Sequence, residues 1–77
     1  MKVVIDGVAY VPERFAVGSR VRILRTDRPE YTIGPGALGR HGFVIEPHPT
    51  DPPGRVRITF GPAGSWSFFP EDLNATT

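Results

Sequence analysis

Apolar and polar residues alternate along several short stretches of the chain, which are separated by glycine and proline. The clearest alternation is in Arg55–Phe60, where the apolar side chains fall on one side of an extended chain and the arginines on the other. A period of two is typical of a half-buried β-strand. Arg20–Ile23 within the stretch Ser19–Leu24, and Ser65–Phe68 within Ser65–Phe69, show the same alternation. The pattern therefore predicts strands in these stretches, and no window of useful length has the periodicity of a helix.

Turn signals add further strands to this set. Asp6 and Gly7 interrupt the apolar stretch Lys2–Val11 and predict a hairpin at the amino terminus, because both central positions of a two-residue turn favour positive φ. Gly39–Glu46 resumes strand character, and Gly61–Gly64 predicts a tight turn between the strands on either side of it. The chain therefore consists of short strands joined mainly by turns.

Five to six short strands with turn signals between them predict an all-β fold, a small barrel of antiparallel strands. We expect one domain over residues 1–77, with a hairpin extension at 1–14, the barrel at 15–74 and a frayed tail at 75–77. Trp66 and Phe68 alternate with serines, so both are expected to point into the core. Phe69 breaks this alternation and is either covered by the hairpin or left exposed.

The order of these parts resembles that of SH3-like barrels. Gly18–Leu24 resembles the opening strand of that superfamily, a long loop follows, and Gly39–Ile45 has its pattern of glycine, two residues, glycine and then apolar residues. The strand Val56–Phe60, a tight turn and the acidic end Glu71–Leu73 complete the layout. The layout is similar to the small accessory subunit of photosystem I and to the variable chain of ferredoxin–thioredoxin reductase. Those families imply a non-catalytic module that docks onto a larger electron-transfer assembly.

Composition argues against several kinds of site. The 77 residues include no cysteine, which excludes disulfides and thiolate nucleophiles and fits a reducing, cytoplasmic setting. The formal net charge of +1 gives no general reason to expect binding to nucleic acid or to a membrane. His41 and His48 have no spacing typical of a metal site, and we interpret Glu71 and Asp72 as a solvated closing turn. We therefore expect no enzyme activity, no cofactor and no metal.

The candidate binding residues are mainly arginines on two predicted strands. If those strands are neighbours, their outward faces form an arginine patch that binds phosphates or carboxylates through paired hydrogen bonds. The alternative is a charged outer face that keeps a small β-protein from aggregating. In the long loop Arg25–Leu38, Tyr31 and Ile33 either fold inward over one end of the barrel or anchor a partner. The full candidate set is Arg20, Arg22, Arg25, Arg28, Tyr31, Arg55, Arg57, Trp66 and Phe69.

These residues predict a protein-binding accessory or regulatory module that acts through the arginine-bearing strands and the long loop. A small inhibitor of a host protein, encoded by a phage or a mobile element, is a narrower form of the same hypothesis. The alternative is a small nucleic-acid-binding barrel, and a third class is a protein that only self-associates. Nucleic-acid-binding barrels usually combine a basic groove with exposed aromatic residues, so another protein is the favoured partner.

Overall fold

Most of the regular structure in the described residues is β-strand. A computed structural model describes residues 3–10 and 14–76. Short 3₁₀ helices occur at Pro35–Ala37, Gly61–Ala63 and Pro70–Asp72, and none of the described helices is long and apolar enough to cross a membrane. The all-β prediction is confirmed. The strands are β1 (Val3–Ile5), β2 (Val8–Tyr10), β3 (Arg20–Ile23), β4 (His41–Ile45), β5 (Val56–Thr59), β6 (Ser65–Phe68) and β7 (Leu73–Thr76).

The strands form two antiparallel sheets. One contains β1 and β2, and the other has the strand order β6-β5-β4-β3-β7. Because β6 and β7 do not pair within the described residues, the larger sheet is open, whereas the sequence predicted a barrel. The long loop contacts the turn that joins β6 to β7. Its Tyr31 hydroxyl bonds to Phe69, which follows β6, and to Asp72, which precedes β7.

The amino-terminal hairpin forms at the predicted turn. Asp6 and Gly7 have φ angles of 51° and 79°, the left-handed conformation that a two-residue hairpin requires. The hairpin is a sheet of its own, and an isolated bridge between Tyr10 and Ala16 connects it to the rest of the chain. Residues 1–2 and 11–13 of the predicted extension lie outside the described residues.

The carboxyl end is a strand where the sequence predicted fraying. Ala75 pairs with Val21 and Thr76 with Arg20, and the Thr76 hydroxyl also donates to the Arg20 carbonyl oxygen at 3.2 Å. Ladder hydrogen bonds to β3 hold this segment, so it is ordered without an apolar pattern of its own. Residue 77 lies outside the described part of the chain.

The core lies on one face of the larger sheet. Phe68 is fully buried there, and Trp66 is half-buried against the same cluster, so the predicted inward direction of both rings is confirmed. Tyr31 and Ile33, which belong to the long loop and not to the sheet, also pack against this cluster. The buried members are Phe15, Val21, Ile23, Val44, Val56, Ile58, Phe68 and Leu73.

Candidate functional site

A buried carboxylate, Asp72, holds the long loop against the segment before β7. Arg28 donates from Nε to Oδ2 at 2.5 Å and from Nη2 to Oδ1 at 3.0 Å, and the Tyr31 hydroxyl donates to Oδ2 at 2.5 Å. The same hydroxyl accepts a hydrogen bond from the Phe69 N–H at 2.8 Å. Asp72 is only 3% exposed, so the interpretation of this residue as part of a solvated turn is wrong. The 3₁₀ turn directs its carboxylate inward, where the loop supplies its partners.

The charges of this network are fixed over a wide pH range. Burial by itself raises the pKa of Asp72, but the hydrogen bonds from Arg28 and Tyr31 outweigh it, so the pKa is lowered. Burial and the hydrogen bond to Asp72 raise the pKa of Tyr31 to about 12. The hydrogen bond to Asp72 also raises the pKa of Arg28. The network therefore combines an ionised acid with a neutral phenol and a cation, and it serves to position the loop.

Two guanidinium groups lie over the Phe69 ring. The Cζ atoms of Arg28 and Arg55 are 4.6 Å and 4.1 Å from the centre of its ring. The Tyr31 ring packs beside it, with centroids 6.0 Å apart. Arginines held over an aromatic face are stabilised by the ring quadrupole. Phe69 is therefore half-buried in a cover supplied by the long loop and by the residue before β5.

Tyr31 and Arg25 differ in their settings within the long loop. Tyr31 folds inward, with its ring centroid 5.1 Å from that of Phe68. Arg25 is exposed and forms an ion pair with Asp27, and this hydrogen bond lowers the pKa of Asp27. The loop is thus anchored through Arg28 and Tyr31, and Arg25 remains at its surface.

Arg57 is neutralised by an acid of the proline-rich loop. Its Nη2 and Nε donate to the two carboxylate oxygens of Asp51 at 2.6 Å and 2.9 Å. Asp51 also accepts from the His48 N–H at 3.0 Å, so the loop is tied to β5. The hydrogen bond from Arg57 lowers the pKa of Asp51, although burial opposes it. Arg57 therefore has little charge left to offer a partner.

Alternate backbone N–H and carbonyl groups of β6 point toward the open edge of the sheet. The Phe60 N–H donates to the Gly64 carbonyl oxygen at 2.9 Å, which fixes the alternation of the β5–β6 ladder. Under this alternation the residues opposite Ile58 and Val56 bond to β5, whereas Ser65 and Ser67 direct their backbone groups away from it.

Two arginines reach over the outer edge of β6 and occupy its acceptors. Arg57 Nη1 donates to the Ser65 carbonyl oxygen at 3.1 Å, and Arg55 Nη1 donates to that of Ser67 at 3.3 Å. Side chains that cover a strand edge oppose pairing with another chain. The carbonyl groups of this edge are therefore occupied, while the N–H groups of both serines still face outward.

The predicted arginine patch does not form as one surface. β4 lies between β3 and β5, so Phe43 and its neighbours separate the two pairs of arginines. Arg20 and Arg22 are exposed on the outer face of β3. Arg55 and Arg57 turn toward the edge of β6. This separation depends on long-range strand pairing, which the alternation within each strand does not specify.

A cleft runs between the long loop and β6. It consists of two adjoining grooves of about 310 Å³ and 270 Å³ that meet at Ile33 and Trp66. We call them the polar groove, which extends toward Glu30, and the apolar groove, which extends past Phe60 to Arg40. The Trp66 and Phe60 rings pack at a centroid distance of 5.8 Å. The sequence pattern indicates Trp66 but not Glu30 or Arg40, since charged residues in turns are common and carry no specific signal.

In the part of the chain that is described, no group of three or more acidic or histidine side chains is placed to hold a metal. The chain matches no protein-family model, no curated protein and no solved structure. The geometry of the cleft and of the outer sheet face is therefore the basis for a functional proposal.

Proposed function

We propose that this protein is a non-catalytic binding module for another protein, and that its binding surface is the cleft. The observation that carries the proposal is the pair of grooves that meet at Trp66 and Ile33. Each groove is at or below the low end of small-molecule sites, which are roughly 300–1,000 Å³, whereas two joined grooves beside a strand suit an extended chain. Tryptophan is also enriched among the residues that dominate binding energy.

Both walls of the cleft are held in place before any partner binds. The ion pair of Arg28 with Asp72 fixes the long loop on one side. The ion pair of Arg57 with Asp51 fixes the arginine that covers β6 on the other side. Walls that need no ordering on binding lower the entropic cost of association.

An accessory or regulatory role is the form of this function that the layout favours. A strand, a long loop, three further strands and an acidic turn follow one another as in the SH3-like accessory subunits that the sequence resembles. Inhibition of a host protein is a narrower form of the same role. We place the protein in the cytoplasm because the chain has no cysteine, as is common in reducing compartments.

Two variants that block the cleft test this proposal. Thr32→Arg fills the polar groove and Ala63→Arg the apolar groove, and both residues are exposed, so the fold tolerates the change. Thr50→Arg adds the same charge in the exposed proline-rich loop and is the matched control. The partner is captured from the organism that encodes the chain. We expect the affinity of each cleft variant for that partner to fall about tenfold, or by about 1.4 kcal/mol. Full retention of the partner by both variants would exclude the cleft as the binding surface.

A second candidate, binding of single-stranded nucleic acid, is favoured by the outer face of the sheet. Phe43 is 51% exposed there and pairs with Arg20, and the next pair on the same face is His41 with Arg22. Among the described residues, neither of these arginines forms an ion pair. Exposed aromatic rings flanked by cations are typical of single-strand binding surfaces.

A salt titration distinguishes the two candidates. If the outer face binds nucleic acid, generic single-stranded DNA or RNA binds at low salt, the affinity falls steeply as salt increases, and Phe43→Ala removes it. Thr32→Arg leaves that binding intact because it lies in the cleft. Absence of binding at low salt rejects the second candidate.

A further inference from the structure

We propose that the cleft recognises an extended, acidic peptide segment, with an apolar side chain packed on Trp66 and a neighbouring carboxylate bound by Arg40. This inference rests on the proposed function of the cleft and names the chemical class of its ligand. Three features of the cleft support it: a cation without an ion-pair partner among the described residues, two outward N–H groups and an acid at the opposite end.

The cation is Arg40. It lines the apolar groove together with Phe60 and Trp66, and it forms no ion pair within the residues that the structure describes. Two hydrogen bonds fix its backbone. The Arg40 carbonyl oxygen accepts from the Ile23 N–H at 2.9 Å, and the Arg40 N–H donates to the Ala37 carbonyl oxygen at 3.0 Å. A guanidinium group beside an apolar surface binds a carboxylate through two parallel hydrogen bonds. Arg40 therefore selects an acidic residue next to an apolar one.

The edge of β6 offers donors and few acceptors. Ser65 and Ser67 line the polar groove, and their N–H groups face outward as the ladder alternation requires. Their carbonyl oxygens already accept from Arg57 and Arg55. An incoming extended chain can therefore supply carbonyl oxygens to the edge but cannot complete a full ladder. This is a partial form of strand addition, in which the backbone binds and the side chains specify.

The far end of the cleft has the opposite charge. Glu30 is exposed and lines the polar groove. The other charged residue of that groove, Arg57, is already neutralised by Asp51. Charge complementarity therefore orients the ligand, with its acidic residue toward Arg40 and a neutral or basic residue toward Glu30.

Selection from a library of random linear peptides tests this class directly. Binding is followed through the fluorescence of Trp66, the one tryptophan of the chain, which lies where the grooves meet. We expect the selected peptides to carry Asp or Glu next to an apolar residue. Replacing that acid with its amide weakens binding about tenfold, and N-acetyl-aspartate alone, which tests simple anion binding, does not compete.

Charge reversal provides the matched control. Arg40→Glu abolishes binding of the acidic peptides and shifts a repeated selection toward basic ones. Arg14→Glu makes the same change at an exposed arginine that lines neither groove and leaves the affinity unchanged. Equal loss in both variants would show general charge attraction and overturn the proposal.

The remaining outcomes separate this inference from the proposed function. Peptides that change Trp66 emission but show no acidic preference and no response to Arg40→Glu overturn the ligand class and leave a protein-binding cleft. A library without binders overturns the peptide proposal alone if Thr32→Arg still prevents capture of the partner. If Thr32→Arg and Ala63→Arg also retain the partner, both proposals are wrong.

Discussion

Arg28 and Asp72 form a two-point ion pair that ties the long loop to the turn before β7, with N–O distances of 2.5 Å and 3.0 Å. The two residues are 44 positions apart in the sequence. Tyr31 bonds to the same carboxylate, so one buried acid positions the loop wall of the cleft. The loop is therefore held by contacts that are remote in sequence and close in space.

Removal of the Asp72 carboxylate should lower the free energy of unfolding much more than removal of an exposed carboxylate. Asp72→Ala leaves Arg28 and the Tyr31 hydroxyl without their acceptor, so we expect the free energy of unfolding to fall by about 2–4 kcal/mol. Asp27→Ala breaks the exposed pair with Arg25 and should destabilise the fold much less. Urea denaturation measures both values. Equal losses would contradict a structural role for Asp72.

The free energy of unfolding should decrease at acidic pH. The pKa values of Asp72 and Asp51 are lowered in the folded protein, so the unfolded chain binds protons first as the pH falls. Their contribution is therefore present above about pH 4, the range of an unfolded aspartate, and is lost as the pH falls through the lowered values. Urea unfolding as a function of pH should show this decline, and it should be smaller in Asp72→Asn. An unchanged decline in that variant would contradict the assignment.

The phenol of Tyr31 should ionise late. Its pKa is raised to about 12 by burial and by the hydrogen bond to Asp72, against about 10 for an exposed tyrosine. The associated stability is present below about pH 10 and is lost as the pH rises toward the folded value. Phenolate absorbance in a Tyr10→Phe variant reports Tyr31 alone, since the chain has two tyrosines. Asp72→Asn should lower the pKa of Tyr31. A pKa near the ordinary value in the protein that retains Asp72 would contradict the network.

Arg55 and Arg57 should protect the protein from self-association. Arg55→Ala with Arg57→Ala uncovers the carbonyl groups at the edge of β6, which then become free to pair with another chain. We expect sedimentation to show larger species than for wild type at the same concentration. Arg20→Ala with Arg22→Ala removes the same charge from interior strand β3 and should not. Identical behaviour of the two double variants would exclude edge protection.

Gly42 should be intolerant of even one methyl group. A Cβ there overlaps the Ile58 side chain and lies 2.8 Å from the Thr59 carbonyl oxygen. Gly42→Ala should therefore destabilise the fold by about 1–3 kcal/mol, as overpacking does. Gly36 has open space around the same position and no positive φ, so Gly36→Ala should be close to neutral. Thermal unfolding of the two variants checks the difference.

The strands could be predicted where alternation and turns agree. β5 follows the alternation of Arg55–Phe60, and the hairpin turn lies at Asp6 and Gly7 as expected. β7 could not be predicted, because Leu73–Thr76 contains little apolar pattern and is held by its pairing with β3. Local patterns specify a strand only when its own side chains are half-buried.

The candidate site could be predicted only in part. Trp66 and Tyr31 are large aromatic residues in informative positions, and both line the cleft. The prediction for Asp72 is wrong, because its burial depends on Arg28, a residue that no local pattern connects to it. Arg20, Arg22 and Arg57 lie on the strands predicted for them, and Arg55 lies just before β5. The insertion of β4 between those strands is a property of the whole sheet.

The central claim, that the cleft binds another protein, is tested most directly by titrating the isotope-labelled chain with the captured partner and following its amide spectrum. We predict that the indole N–H of Trp66 and the backbone N–H groups of Ile33 and Ala63 shift first and most, because they line the cleft. Shifts confined to Arg20 and Phe43, with an unperturbed Trp66 signal, would place the partner on the outer sheet face and contradict the claim.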